Sequence, residues 1–411
     1  MTIAALALAA ALLPGPPTPS SLPQPAPSPR GPDSSASAST ASPTATAWPT
    51  VAAASPSFAP AADIQLTLPA PTGRHPVGTA SLHLVDSSRP DPWVPAEKRR
   101  ELMAQIWYPA ATVRGCPRAD WVSPQIAARM APPGSGAILP VTHGHIGAPA
   151  APGRRPVVLW SPGLGMERTS STALVEELAS HGFVVVTVDH THDANFVEFP
   201  DGRLATLAVP VPATPAEEQA VVTKALAVRV ADTRFVLNQL TSGRLLRSLP
   251  RGLAATLDLN RVGMAGHSLG GATAAEVMRV DHRVRAGANL DGTFFGRPLT
   301  TGLNRPFLML GAGVDDSWTT MWGKLRGPRY WLQLDHTAHL SYTDLQTLLP
   351  QLGTPAPDRE PLIGSIDGER SIAVQRPYVV AFFDRHLRHG DGRLLAGPSS
   401  RYPEMHFHPD F

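Results

Sequence analysis

The chain has 411 residues, 43% hydrophobic and 17% charged, and a formal net charge of +2 from 35 Lys and Arg against 33 Asp and Glu. That near balance, with no long basic run, argues against nucleic acid as the main partner. A single cysteine, Cys116, excludes an internal disulfide framework and any cysteine-based zinc cluster.

Residues 1–62 hold 13 of the 45 prolines and two charged side chains, Arg30 and Asp33, among mostly Ala, Ser and Thr. No packed core can form from that mixture, so it reads as a signal-like segment and spacer ahead of one domain over 63–411. Residues 2–13, TIAALALAAALL, are too short to span a bilayer and suit the apolar core of a secretory signal, although no Lys or Arg precedes them. A secreted or cell-envelope protein is the expectation.

Alternating apolar and polar residues predict antiparallel strands over Thr79–Asp86 and Glu101–Tyr108. Residues 120–150 read as irregular, with a short helix near Pro124–Met130. The pattern then changes to continuous apolar strands, Pro156–Ser161 and Phe183–Asp189, of the kind a parallel sheet buries on both faces. Further strands are expected at Arg261–Ala265, Val284–Leu290, Phe307–Gly311 and Tyr330–Leu334. Helical stretches fall at Thr169–Ser180, Glu217–Leu240, Ala272–Met278, Tyr342–Leu349 and Ile372–Leu387. Strands alternating with helices predict an α/β fold: a mostly parallel central sheet with antiparallel amino-terminal strands on one edge and helices on both faces.

Gly266-His267-Ser268-Leu269-Gly270 matches G-x-S-x-G between a strand and a helix. Such a turn must push the serine oxygen out over the sheet, and side chains at the flanking glycines would clash in it. Ser268 is therefore the expected nucleophile. The base should follow it in the chain. His339 and His336 both follow the strand Tyr330–Leu334, and His339, in the open loop, is the better placed. His282 lies among charges close behind the serine helix. For the acid, position leaves Asp291 and the pair Asp315 and Asp316 open. Acyl transfer also needs two donors for a tetrahedral oxyanion. The backbone N–H of Leu269 is one. Leu164 or its neighbour Gly165, in the glycine-rich loop after Pro156–Ser161, supplies the other.

The run SPGLGMERTSSTALVEELASHGFVVVTVDH, with GMAGHSLGGATA, NLDG and HTAHLSYTD, resembles the plasma or lipoprotein-associated platelet-activating factor acetylhydrolase family of α/β-hydrolases and its bacterial secreted relatives, over residues 65–390. The resemblance implies an α/β-hydrolase fold and calcium-independent hydrolysis of short or oxidised acyl groups at the sn-2 position of phospholipids. It implies Ser268 as nucleophile, Asp291 as acid, His339 as base inside an H-x-x-x-x-D run ending at Asp344, and Leu164 as the second oxyanion amide. Family members often carry histidine where this chain has Pro162. The same resemblance extends to carboxylesterases, lipases and polyester hydrolases, which is the alternative reading of substrate.

Around that core, His190 follows a central strand and is a candidate pocket residue. Trp318, Met321 and Trp322 share one helical face, with Leu325, and read either as core or as an exposed apolar rim touching a lipid surface. His143 with His145, and His190 with His192 and Asp193, are the only metal-type pairings and lack supporting spacing. No metal and no cofactor are expected. The expected partner is a small ester or phospholipid.

Overall fold

A computed structural model describes residues 63–313 and 315–408. The signal-like run and the proline-rich spacer lie outside the described residues.

Eleven strands make one sheet: β1 (Val77–Asp86), β2 (Arg100–Pro109), β3 (Arg118–Asp120), β4 (Val141–Ile146), β5 (Arg155–Ser161), β6 (Val184–Asp189), β7 (Leu257–His267), β8 (Val284–Leu290), β9 (Phe307–Gly311), β10 (Arg329–Leu334) and β11 (Met405–Phe407). Their spatial order is β11-β10-β9-β8-β7-β5-β6-β2-β1-β4-β3. The six strands from β6 to β10 pair in parallel throughout. β2 lies antiparallel to both β6 and β1. This is the mixed, mostly parallel sheet of an α/β-hydrolase.

The continuous apolar runs are explained by burial on both faces. In β5, Val157 and Leu159 enter one hydrophobic cluster, and Val158 and Trp160 enter another on the opposite face. Five longer helices cover those faces: α1 (Thr172–Ser180), α2 (Pro215–Gln239), α3 (Leu269–Val280), α4 (Asp316–Lys324) and α5 (Gly368–Arg388). Residues of α2, α3 and α4 join the first cluster, and residues of α1 and α5 the second. Helix α2 begins on Pro215 with a capping box between Thr214 and Glu217, which satisfies amides that a helix start leaves bare.

Two differences from the sequence reading concern the edges. Residues 141–146 form a strand, not irregular chain, and β4 pairs in parallel with β1. β11, near the carboxyl terminus, adds an antiparallel edge strand to β10. The short helix falls at Pro124–Met130, capped by Ser123.

Candidate active site

Ser268 stands where β7 turns into α3, with φ 55° and ψ −127°. A non-glycine residue in that region is strained, and such strain persists only where the surroundings impose it. The flanking glycines show how tight the turn is. A Cβ on Gly266 would lie 2.3 Å from the Gly270 carbonyl carbon, and one on Gly270 would lie 1.9 Å from the Ser161 carbonyl oxygen. The turn forms because these two positions carry no side chain.

His339 opens a short 3₁₀ turn, His339–Tyr342, beyond β10. Its Nε2 lies 3.0 Å from Ser268 Oγ and its Nδ1 lies 2.7 Å from Asp291 Oδ2. Asp291 directly follows β8 with φ 54°, and its Oδ1 accepts 2.7 Å from the Ala312 N–H. With Nδ1–H donating to the carboxylate, Nε2 is left to accept from the serine hydroxyl. The structure thus brings together Ser268, His339 and Asp291. The rivals go elsewhere: His336 is exposed in the preceding turn, and Asp315 caps α4 through the Ser317 and Trp318 amides and accepts from Thr293. Asp316 is exposed in the first turn of that helix.

Two further contacts hold the histidine segment. His267, the variable residue of the serine motif, donates from Nε2 to the His339 carbonyl at 2.8 Å, and the rings lie 4.7 Å apart. Burial holds the His267 imidazole well below its ordinary pKa, so it stays neutral beside the base. Asp344 reaches α1, accepting from the Thr172 and Ala173 amides and from Trp121 Nε1. Ser171 itself makes no side-chain cap. A carboxylate 172 positions away in sequence thus caps the helix that follows the oxyanion loop.

That loop is held from behind by a residue the sequence reading did not single out. Arg229 of α2 is fully buried and pairs through Nε and Nη2 with Asp193. It also donates to the Pro162 carbonyl at 2.5 Å and to the Gly163 carbonyl at 3.0 Å. In a trans peptide the C=O and the next N–H point to opposite sides. Fixing the Gly163 carbonyl toward Arg229 therefore turns the Leu164 N–H away from it. Leu164 lines the same pocket as Ser268, Leu269 and His339. The Gly165 N–H is already taken by the Asp193 carbonyl at 3.0 Å, which leaves Leu164 as the free amide of the two expected. Arg229→Lys is expected to lower kcat about 10²-fold, the scale of one lost oxyanion donor, with KM within about twofold. A fall in kcat/KM carried by KM alone would show that Arg229 does not act through the loop.

The pocket above Ser268 holds about 490 Å³, with Val222, Thr293, Phe295, Asp315 and Trp318 among its walls. That is the range of a small-molecule site.

Comparisons with known proteins find relatives of this chain among ester hydrolases. Residues 61–200 match the family model described as platelet-activating factor acetylhydrolase, isoform II. A probable 1-alkyl-2-acetylglycerophosphocholine esterase of Arthroderma benhamiae is 33% identical over 61% of this chain and 66% of its own length. The platelet-activating factor acetylhydrolase of Cavia porcellus is 28% identical over 34% of this chain and 35% of its own. The chain therefore spans about two thirds of the fungal relative and one third of the mammalian one. A solved ferulic acid esterase from Streptomyces cinnamoneus is 41% identical, with TM-score 0.73, over 84% of this chain and 99% of its own. The chain belongs to the family of α/β-hydrolases that holds the platelet-activating factor acetylhydrolases and related esterases.

Within this family frame several sequence expectations are corrected. His190 does not line the pocket: it is buried under the oxyanion strand, with Nε2 3.0 Å from Ser161 Oγ and Nδ1 3.0 Å from Asp232. Trp318, Met321 and Trp322 are not an exposed rim. They are 2%, 0% and 6% exposed and belong to the core. Trp318 lies against Phe294 and Trp331 and donates to the Gly292 carbonyl at 2.8 Å, beside Asp291, while still reaching the pocket wall. Trp322 lies under Arg329, whose guanidinium sits 4.3 Å from the ring centre. His143 pairs with Glu176 at the sheet edge.

One group among the described residues gathers metal-type donors, Asp91, Glu97 and His192. The Arg100 guanidinium lies 2.5 Å from Asp91 and supplies positive charge where a cation would sit, so this donor set fits an ion-pair network better than a metal. Arg100 also pairs with Asp232, which links that network to His190.

Proposed function

We propose that this protein is a serine carboxylic ester hydrolase of broad specificity for small, uncharged esters. The Ser268–His339–Asp291 chain of hydrogen bonds carries the reading. Ser268 Oγ attacks the ester carbonyl carbon as its proton passes to His339 Nε2. The carbonyl oxygen becomes an oxyanion facing the Leu164 and Leu269 amides. When the intermediate collapses, the C–O bond to the alcohol breaks and the imidazolium gives its proton to the leaving oxygen. Water, deprotonated by His339, then attacks the acyl-enzyme and releases the acid and Ser268.

Kinship with a ferulic acid esterase along nearly its whole length supports an esterase of this breadth. The narrower reading, hydrolysis of short or oxidised sn-2 acyl groups of platelet-activating-factor-like phospholipids, is supported by the family model and the fungal relative's name. It needs a route from a lipid surface, and the tryptophan stripe that would have served is buried. A panel of purified-protein assays tests the choice, with alkyl esters of graded length, a hydroxycinnamate ester, and a phospholipid with a short sn-2 chain. Activity restricted to the phospholipid would overturn the broad reading.

Charge in the pocket sharpens the substrate class. Glu218 and Asp315 line it, and no Lys or Arg does among the described residues. A carboxylate about 8 Å from Glu218 at an effective dielectric constant of about 40 would be repelled by roughly 1 kcal/mol. Glu218→Gln is therefore expected to raise kcat/KM about fivefold for an ester bearing a free carboxylate, and to leave a neutral ester within about twofold. Equal changes on both substrates would remove Glu218 as the source of selectivity.

A further inference from the structure

The oxyanion loop has a second side. Leu164 faces the catalytic pocket, but Gly165, Met166 and Glu167 turn to a separate slot of about 80 Å³, walled by Trp121 and Phe196. The geometry points to a second binding site in this slot, for a small uncharged molecule with a flat or compact apolar body and one hydroxyl group, whose occupancy is felt by the oxyanion loop.

Four polar side chains line an otherwise apolar slot; Thr343 donates to the Leu340 carbonyl, and the other three have hydrogen-bonding capacity left over. Glu167 is 8% exposed, pairs with no cation among the described residues, and its Oε1 accepts a bond of 3.2 Å from the Phe196 N–H. The Ser170 hydroxyl is buried with no partner among the described residues. Asn195 closes the same wall; its backbone carbonyl accepts from Leu207, and its side-chain amide bonds to no other group among the described residues. Buried polar groups are ordinarily paired, and an apolar cavity with a few convergent polar groups is the usual form of a ligand site. The room exceeds that needed for a single water.

Charge selects the ligand class. Burial, with the Asp189 carboxylate nearby, pushes the Glu167 carboxyl up to about 8. It holds its proton at neutral pH and can donate to a ligand oxygen. No Lys or Arg lines the slot among the described residues: Arg168 is committed to Asp189, and Arg129 lies over the Phe196 ring, 5.9 Å from its centre. A hydroxylated ring can accept from Glu167 and exchange hydrogen bonds with Ser170 while Trp121 and Phe196 cover its faces.

The route to the active site is short. Gly165 and Met166 follow Leu164 directly, and the Met166 N–H donates to the Gly163 carbonyl that Arg229 also holds. Thr343 and Leu345, on the opposite wall, continue the segment that begins at His339. An occupant thus presses on the backbone that aims the Leu164 amide and contacts none of the reacting atoms.

Phenol is the probe. Titrated calorimetrically into the full chain, it is expected to bind saturably with Kd about 1 mM or tighter. Leu139→Trp, filling the slot from its half-buried rim, should weaken binding at least tenfold, and Ser170→Ala about threefold to tenfold. Absence of saturable binding, or binding untouched by both variants, overturns the site. Tetramethylammonium and acetate are run alongside, and equal or tighter binding of either overturns the uncharged class. In turnover assays phenol should change kcat at least twofold at constant KM, and not in Leu139→Trp. A rise in KM alone places phenol in the catalytic pocket and overturns the coupling. This last arm rests on the proposed esterase activity. If that activity fails there is no turnover to modulate, whereas the calorimetric result stands by itself.

Discussion

Ser268→Ala is expected to lower kcat about 10⁶-fold, the loss seen when the nucleophile of a working triad is removed, and to change folding stability by about 1 kcal/mol or less. Among the described residues the side chain has one partner, His339 Nε2. The turn around it is imposed by backbone contacts: the Ser268 N–H donates to the Leu290 carbonyl at 2.9 Å and the Gly271 N–H donates back to the Ser268 carbonyl at 2.9 Å. Alanine keeps these bonds, so the variant should fold and bind substrate while losing the covalent step. Two measurements check this: steady-state hydrolysis, and labelling by a serine-directed phosphonate followed by mass spectrometry. Retention of more than a few per cent of activity, or phosphonate attachment to the variant, would remove Ser268 from the mechanism.

Asp291→Asn should cost about 10⁴ in kcat, for a reason visible in the hydrogen bonds. Asp291 accepts twice, from the Ala312 N–H through Oδ1 and from His339 Nδ1 through Oδ2. An asparagine has one acceptor oxygen. If it serves Ala312, its amide N–H faces His339 Nδ1 and drives the ring proton to Nε2, where it can no longer take the serine's. Asp315→Asn is the control. Its carboxylate caps α4 and accepts from Thr293, and asparagine caps a helix about as well as aspartate, so that change should alter stability by less than about 1 kcal/mol and spare kcat within about threefold. Comparable loss in both variants, or an active Asp291→Asn, would place the acid elsewhere.

The sequence carried the sheet well where burial on both faces leaves continuous apolar runs, as in β5 and β6. It carried the nucleophile because a glycine on either side of Ser268 answers a steric demand written locally. The misses have a common origin in contacts that only tertiary structure creates. β4 contains Gly144 and two histidines and lies between β1 and β3 near the sheet's edge, so neither alternation nor apolar content marks it. Arg229 and Asp232 look like two ordinary charges of a long helix. Their burial depends on Asp193 and Arg100, distant in sequence, arriving at the same place. Likewise, nothing local could show whether Trp318, Met321 and Trp322 met solvent or the core, since one helical face serves either purpose. A charged residue spaced with the apolar face of α2 was the single available signal: Arg229 lies seven positions after Val222, two turns along the same stripe.

That spacing has a consequence for anyone redesigning this protein. Val222 forms part of the wall of the catalytic pocket, and Arg229, on the same rigid helix, grips the loop that presents the Leu164 amide. Substituting Val222 with a larger residue to narrow the pocket pushes on the whole of α2 and so displaces the grip. Variants selected for a new substrate on that side should show strong epistasis, with gains in discrimination bought by slower turnover. Thr293, in the loop after β8, bonds to Asp315 at the start of α4 and not to α2. Libraries built there should reshape the substrate range with far less correlated loss of rate.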